Sequence, residues 1–106
     1  MRAKKVDANH GAVRDHLRAI GWSVFDTSPV GRGFPDLVCA RRGFTALVEV
    51  KDGHAKHLNP EQQRFVRHWN GVVIKAISAE DAEVQLELAE SHQVLQRGRF
   101  YAEHKP

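Results

Sequence analysis

Two short apolar runs separated by Arg42-Gly43 constrain this chain more than any other feature. They lie within residues 33–40 and 45–51, on either side of a turn at Arg41 to Phe44, and they predict two strands joined by a tight turn. Glycine suits such a turn because it adopts positive φ without a steric penalty. In a hairpin centred on this dipeptide, residues equally distant from the turn are cross-strand partners. Asp36 is therefore predicted to lie directly opposite Glu49.

Three charged side chains enter this otherwise apolar strand pair. Directly opposed residues have Cβ atoms about 4.5–5.5 Å apart, so the carboxylates of Asp36 and Glu49 would converge. Lys51 shares the face of Glu49 because side chains alternate along a strand. Apolar neighbours on both faces are typical of strands that are covered on both sides.

Charges in such surroundings are unfavourable unless they are paired or bound to a metal. A hard divalent cation such as Mg²⁺ takes carboxylate oxygens and activates water for attack. The pattern therefore favours a catalytic metal site. The alternative is a surface pair between Lys51 and one of the two carboxylates on an edge hairpin.

At this point the residues resemble a known family. Pro35-Asp36 followed by Glu49-Val50-Lys51 resembles the PD-(D/E)xK nuclease signature, and the longer pattern resembles the small stand-alone VRR-NUC-type nucleases of phages and bacteria. The matching segments are Asp7-Ala8-Asn9, residues 17–21, Gly33-Phe34-Pro35-Asp36-Leu37, Glu49-Val50-Lys51-Asp52-Gly53, Leu58-Asn59-Pro60-Glu61-Gln62, Trp69-Asn70-Gly71 and residues 78–82.

The resemblance implies an α/β fold with a restriction-endonuclease-like core, in which a small mixed sheet is flanked by helices in the order α-β-β-β-α-β-α. It also implies a metal-dependent nuclease. Asp36, Glu49 and the main-chain carbonyl of Val50 would bind Mg²⁺ or Mn²⁺. Lys51 would position or deprotonate the attacking water, and Gln62 would border the site.

Asn9 and Gln62 each have two interpretations. Asn9 lies on the stripe of a helix predicted over residues 8–20, where nucleases of this class often carry a metal-associated glutamate. It also suits the cap at the start of that helix. Gln62 follows Asn59-Pro60 at the spacing of a capping box, which explains it without any chemistry. Both of its roles can hold together.

The same helix after Pro60 carries Phe65, Val66 and Trp69 at helical spacing. This periodicity predicts a buried apolar stripe. It leaves Arg64 on the more exposed part of the helix, where we expect it to contact phosphate.

Further phosphate contacts are predicted from two polar loops. Arg32 and Gly33 stand directly before the Pro35-Asp36 motif, and Lys56 lies in the loop after Lys51. For Gly33 the alternative is a purely conformational need of the loop. Residues 79–92 hold five acidic residues and no lysine or arginine, so the remainder has sixteen basic against eight acidic residues, a balance of +8. Such a surface favours phosphate backbones.

At 106 residues we expect a single domain, with a core over about residues 7–92 and a tail over 93–106 of uncertain role. There is no apolar run of membrane-spanning length and no signal-peptide pattern, which predicts a cytoplasmic protein, in a bacterial or phage-infected cell, without a membrane partner. The single cysteine, Cys39, is predicted to be a small core residue.

The predicted partner is DNA, whether branched, flapped or duplex, and the predicted assembly is a two-fold homodimer because one active centre cuts one strand. An alternative is a DNA-binding module of the same fold without catalysis, which the uncharged Asn9 favours. An interaction protein within a phage assembly is a third interpretation, supported only by the unassigned tail.

Overall fold

The structure, a computed structural model, describes the backbone of residues 6–104 and the side chains of residues 6–93. The element order α-β-β-β-α-β-α predicted from the sequence is confirmed, with one additional 3₁₀ turn at Ser28–Val30. The elements are α1 (His10–Ala19), β1 (Ser23–Asp26), β2 (Leu37–Arg41), β3 (Phe44–Val50), α2 (Pro60–His68), β4 (Val72–Ala76) and α3 (Ala79–His104).

The four strands form one mixed sheet in the order β1-β2-β3-β4. The first three are antiparallel neighbours, and β4 joins β3 in parallel after the crossover that contains α2. Arg41 pairs with Phe44 and Leu37 pairs with Val48, which confirms the predicted register. Both turn residues, Arg42 and Gly43, have positive φ (52° and 79°), as a two-residue hairpin turn with the twist of its strands requires.

One face of the sheet carries the hydrophobic core. Helices α1 and α3 cover it together, with Leu17 from α1 and Leu86 from α3 fully buried. The alternate residues of β3 from Phe44 to Val50 point to this face, and Val48 is fully buried. Cys39 lies in the same core, and burial raises the pKa of its thiol to about 12. The prediction of Cys39 as a core residue is confirmed.

Helix α2 lies apart from these two helices, and the prediction of its buried stripe is wrong. Phe65 is half-buried, while Val66 and Trp69 are 36% and 44% exposed. The helix contacts the fold chiefly through its first turn, where Gln62 is its only buried residue. The aromatic rings therefore pack on one another instead: Phe65 stacks on Trp69 and meets Phe34 edge-on, with both centroid distances 5.2 Å.

At the start of helix α3 the hydroxyl of Ser78 accepts a hydrogen bond from the Asp81 N–H at 3.0 Å. The helix then runs further than predicted, because its backbone stays helical to His104. The role of the predicted tail depends on side chains beyond Gln93, which lie outside the described residues. No described helix combines the length and apolar character that a membrane span requires.

Candidate active site

The two predicted carboxylates lie at the open end of the β2–β3 hairpin. The register of the two strands, continued by one residue beyond Leu37, places Asp36 opposite Glu49. Both residues are almost completely buried, with 1% and 2% of their surface exposed. The hairpin therefore brings two acidic residues together in a part of the molecule that is shielded from water.

Main-chain hydrogen bonds hold Asp36 in place. Its Oδ2 accepts a hydrogen bond of 2.9 Å from the N–H of Val50. Thr27 supports the same segment twice, since its N–H donates to the carbonyl of Asp36 (2.8 Å) and its hydroxyl donates to that of Pro35 (2.7 Å). The carboxylate is thus positioned by the sheet and by the loop before it.

Lys51 follows β3 directly and lies on the same side as Glu49 by strand alternation. Its N–H donates to the carbonyl of Ala76 at 2.9 Å, which extends the pairing with β4 by one residue. The side chain is partly exposed. Its side chain is thus carried on a fixed backbone position, two residues after Glu49.

Lys75 is a neighbour of the site that the sequence analysis missed. It is the β4 partner of Glu49 and therefore shares its face of the sheet. Its Nζ donates to the carbonyl of Lys56 at 3.1 Å and so ties the loop after β3 to the sheet. The parallel register that pairs Lys75 with Glu49 joins residues 26 positions apart in the chain, so no local sequence signal indicates it.

Asn9 occupies the cap position of α1, but the prediction that its side chain caps the helix is wrong, because it makes no such bond. Its Nδ2 instead donates to the carbonyls of Lys51 (3.1 Å) and Ile77 (2.9 Å). Carbonyls only accept, so these bonds fix which amide atom is the nitrogen. The remaining atom, Oδ1, is buried and accepts no hydrogen bond from any described residue.

Gln62 forms the predicted capping box. Asn59 Oδ1 accepts the N–H of Gln62, and Gln62 Oε1 accepts the N–H of Asn59, both at 2.9 Å. The side chain is 2% exposed. Since its oxygen serves the cap, any contact with water or phosphate would use the Nε2 donors.

Lys56 is engaged with the chain segment before α1. Its Nζ lies 3.3 Å from Asp7 Oδ2, which also accepts the Asp52 N–H at 2.6 Å. Burial alone would raise the pKa of Asp7, but these two hydrogen bonds and the nearby lysines lower it below its ordinary value. Lys56 keeps a 54% exposed side chain, so it is both an ion-pair partner and a surface cation.

Arg32 and Arg64 meet at a cleft of about 470 Å³. Gly33 makes this arrangement possible. Its φ is +82°, and a Cβ there would lie 2.5 Å from the carbonyl oxygen of Glu61 in the first turn of α2. Glycine is thus needed for close packing as well as for the loop conformation. The residues lining the cleft are Arg32, Glu61, Arg64, Phe65 and His68.

The donor atoms near the hairpin suit a hard cation. Among the described residues no three or more histidine, cysteine or acidic side chains are grouped to hold a metal ion. The available set is instead two carboxylates, the predicted main-chain carbonyl of Val50 and the buried Oδ1 of Asn9, which are all oxygens. Mg²⁺ and Mn²⁺ prefer oxygen ligands, and Mg²⁺ commonly uses only one or two carboxylates. The residues present therefore fit the predicted cation.

One solved structure with a similar fold is named VRR_NUC domain. It superimposes with a TM-score of 0.63 at 27% sequence identity, over 76% of this chain and 97% of that chain. No protein-family model matches the sequence, and no curated protein matches it either. The likeness supports a nuclease-type domain of the VRR-NUC kind.

Proposed function

We propose that this chain is a metal-dependent nuclease that hydrolyses DNA phosphodiester bonds as a structure-selective endonuclease. The observation that carries the proposal is the buried, opposed pair Asp36 and Glu49 at the end of the central hairpin. Acidic side chains are rarely buried this deeply without a specific role, and two of them side by side present the carboxylate oxygens that a hard divalent cation takes. A fold similar to a VRR_NUC domain supplies the matching chemical context.

In this proposal Asp36, Glu49, the carbonyl of Val50 and Oδ1 of Asn9 hold Mg²⁺ or Mn²⁺. When bound, such a cation supplies Lewis-acid activation of water and of the phosphoryl group. The chain's own contribution is to fix the donors. The hydrogen bond from the Val50 N–H orients Asp36, and the two carbonyl contacts of the Asn9 amide nitrogen leave its oxygen for the cation.

Lys51 and Gln62 complete the proposed site. As an ammonium, Lys51 would position the attacking water or stabilise the charge that develops on phosphate, and as a neutral amine it would take the proton of that water. Gln62 donates from Nε2 to water or to a phosphate oxygen, because its Oε1 is held by the cap. Both groups act from fixed backbone positions, which favours catalysis by positioning.

DNA recognition is assigned to the cations around this site. Arg32 and Arg64 share the cleft next to the hairpin, and Lys56 stands on the loop after Lys51. Gly33 lets the loop that carries Arg32 approach α2 closely. These groups would neutralise phosphates, and the affinity for DNA should therefore fall steeply with salt.

A cytoplasmic two-fold homodimer is part of the same proposal, since two centres are needed to cut both strands of a duplex or branched substrate. Light scattering at micromolar concentration, with and without DNA, tests it. A dimer mass is expected in at least one of these conditions. A monomer mass in both conditions would refute it.

A DNA-binding module without catalysis is the second candidate, because one observation favours it. Asn9 stands where nucleases of this class often carry glutamate, and its amide already bridges Lys51 and Ile77. A purely structural Asn9 would serve a binding protein equally well. Metal-dependent cleavage separates the two functions.

The direct test incubates the purified protein with labelled single-stranded, flapped, branched and blunt duplex DNA, in Mg²⁺, Mn²⁺ or EDTA. The expected result is cleavage of at least one structure with metal, none with EDTA, and cleavage by Glu49→Gln that is lower by about a hundredfold or more. Binding of DNA without cleavage under every condition would favour the binding module instead.

A further inference from the structure

The partly exposed aromatic cluster of Phe34, Phe65 and Trp69 has no role in the proposed chemistry. Phe65 stacks on Trp69 with an interplanar angle of 21°, and it meets Phe34 edge-on at 69°. Trp69 is 44% exposed although it is large and apolar. These mutual contacts hold the rings in fixed orientations at the surface. An ordered and partly exposed aromatic cluster is the kind of surface on which another flat ring stacks.

Phe65 also lines the cleft that Arg32 and Arg64 border. The cleft has a volume of about 470 Å³, which lies in the ordinary range for small-ligand sites. Besides the two arginines and His68, the lining includes a single acidic residue, Glu61. The lining thus combines one aromatic ring, on which a base can stack, with an excess of positive charge, which can bind a phosphate. These two features match the two parts of a nucleotide.

Two residues of the cleft lining are close in the chain to residues of the proposed active site. Arg32 lies four residues before Asp36, and Glu61 directly precedes Gln62. Gly33 joins the two walls, because its missing Cβ allows the loop to touch the backbone of Glu61. A ligand in the cleft would therefore lie beside the hairpin end that holds the carboxylates.

We propose that this cleft binds one unpaired nucleotide of the substrate, with its base stacked on Phe65 and its phosphate held by Arg32 and Arg64. The inference rests on the proposed nuclease function and specifies its substrate class. A base inside a duplex is stacked on its neighbours and cannot stack on a protein ring without leaving the helix. The cleft therefore selects DNA with an unpaired nucleotide next to the cleaved bond.

A second copy of the chain is the competing occupant of this surface. A symmetric contact centred on the cleft would place Arg32 and Arg64 against the same residues of the partner. Like charges facing each other across an interface oppose association. The charge of the cleft thus favours a nucleic acid over a second subunit.

Binding measured in EDTA tests the inference without any need for cleavage. The probes are a single-stranded oligonucleotide with one 2-aminopurine and the blunt duplex of the same sequence. Wild-type protein should quench the fluorescence of the single strand and bind it more tightly than the duplex. Phe65→Leu should lose the quenching and weaken single-strand binding by about fivefold or more. The matched control Phe25→Leu, at a 72% exposed phenylalanine on β1, should behave as wild type.

Charge variants provide a second test that does not alter the aromatic packing. Arg64→Gln should weaken single-strand binding and lower the slope of log affinity against log salt by about one. Arg67→Gln, on the same helix but outside the cleft lining, is its control. Arg32→Asn removes the other cation, and asparagine tolerates the φ of 56° observed at this position.

Three outcomes would overturn the inference. In the first, Phe65→Leu and Phe25→Leu affect single-strand binding equally. In the second, the wild-type protein does not bind the single strand. In the third, Phe65→Leu changes the oligomeric mass of the protein but leaves DNA binding unchanged. The last would assign the surface to a second copy. Absence of cleavage leaves these readouts unaffected, so failure of the nuclease proposal would be recognised separately.

Discussion

The two faces of the sheet differ in what covers them. On one face α1 and α3 pack against β3 so closely that Val48 is fully buried. The other face holds Glu49 and Lys75, and there Phe25 of β1 is 72% exposed. Along β3 the residues of the covered, apolar face alternate with Thr45, Leu47 and Glu49 of the other face.

This difference indicates how so small a chain can accommodate opposed carboxylates. The buried side chains that stabilise the fold are concentrated under α1 and α3. Helix α2 touches the loop at Gly33 through its first turn and leaves Phe65 and Trp69 partly exposed. The closed side of the sheet, which α1 and α3 cover, thus provides stability, and the side with α2 is available for ligands. The following predictions test that division.

The largest effect is expected on activity from the charged face. Glu49→Gln and Lys51→Ala should each reduce metal-dependent cleavage by about a hundredfold or more, because each removes a group that acts on developing charge or on water. Both variants should stay folded, since neither residue belongs to the core under α1 and α3. Cleavage of a labelled substrate at several metal concentrations measures the loss.

Val48→Ala is the matched control, one residue away on the other face. It removes buried methyl groups and should lower the free energy of unfolding by about 2–3 kcal/mol. Its cleavage rate well below its melting temperature should equal that of the wild type. Loss of activity in folded Val48→Ala, or full activity in Glu49→Gln, would break the division between the two faces.

The next effect concerns the junction between α2 and the rest of the fold. Gly33→Ala should destabilise the protein by about 2–4 kcal/mol, because the new Cβ meets the backbone of Glu61 at 2.5 Å and the φ of +82° is unfavourable. Gly31→Ala has a φ of +68° but open space around its Cβ, so it should cost about 1–2 kcal/mol. Urea unfolding measures the loss of stability in both variants. Equal losses would show that the close contact with Glu61 adds nothing to the cost at position 33.

The capping box separates the two roles of Gln62. Asn59→Ala should destabilise by about 1 kcal/mol through loss of the cap, and cleavage should persist. Gln62→Ala should cost a similar amount of stability but should also lower the cleavage rate, because Nε2 is lost. Parallel measurements of melting and cleavage on both variants test this. If both variants reduce cleavage equally and only slightly, the role of Gln62 is structural alone.

The smallest effect concerns the ion pair that fastens α3 to β2. Arg41 donates two hydrogen bonds to Glu90, at 2.8 and 3.1 Å, and stands 4.2 Å over the Trp22 ring. The hydrogen bonds from Arg41 lower the pKa of Glu90. The stabilisation is therefore present above the unfolded pKa of about 4.3 and is lost as pH falls below it.

Glu90→Gln should thus lower the free energy of unfolding by up to about 1 kcal/mol at pH 7 and by less near pH 4. Urea unfolding at both pH values measures the difference between the variant and the wild type. A difference that grows toward acid pH would contradict the assigned direction of the Glu90 pKa. Cleavage should not change at pH 7, because this pair lies on the closed side.

The hairpin was predictable because its information is local. The turn at Arg42-Gly43 and the alternation around it determine which residues are opposed, so the juxtaposition of Asp36 and Glu49 followed from nearby residues alone. The capping box of α2 was predictable for the same reason. In each case a few consecutive residues contain both partners of the interaction.

Long-range contacts account for the features that sequence reasoning did not give. The side chain of Asn9 bonds to residues 42 and 68 positions away, which overrides its local preference as a cap. The periodicity of Phe65, Val66 and Trp69 indicated an apolar stripe, but periodicity does not show whether a partner covers it. Lys75 likewise meets Glu49 only through the parallel pairing of β4.

Thermal unfolding with and without Mn²⁺ tests the central claim most directly. The claim is that Asp36 and Glu49 form a cation site rather than a structural pair. A cation that binds only the folded protein adds about 2.7 kcal/mol at a hundredfold excess over its Kd, so the wild-type melting temperature should rise when Mn²⁺ replaces EDTA. Asp36→Asn retains an oxygen for the Val50 N–H and removes one of two opposed charges.

In EDTA this variant should melt at or above the wild type. In Mn²⁺ it should lose most of the wild-type increment, together with cleavage. If Asp36→Asn melts lower than the wild type in EDTA and Mn²⁺ shifts neither protein, Asp36 is structural and the metal-dependent nuclease account is contradicted.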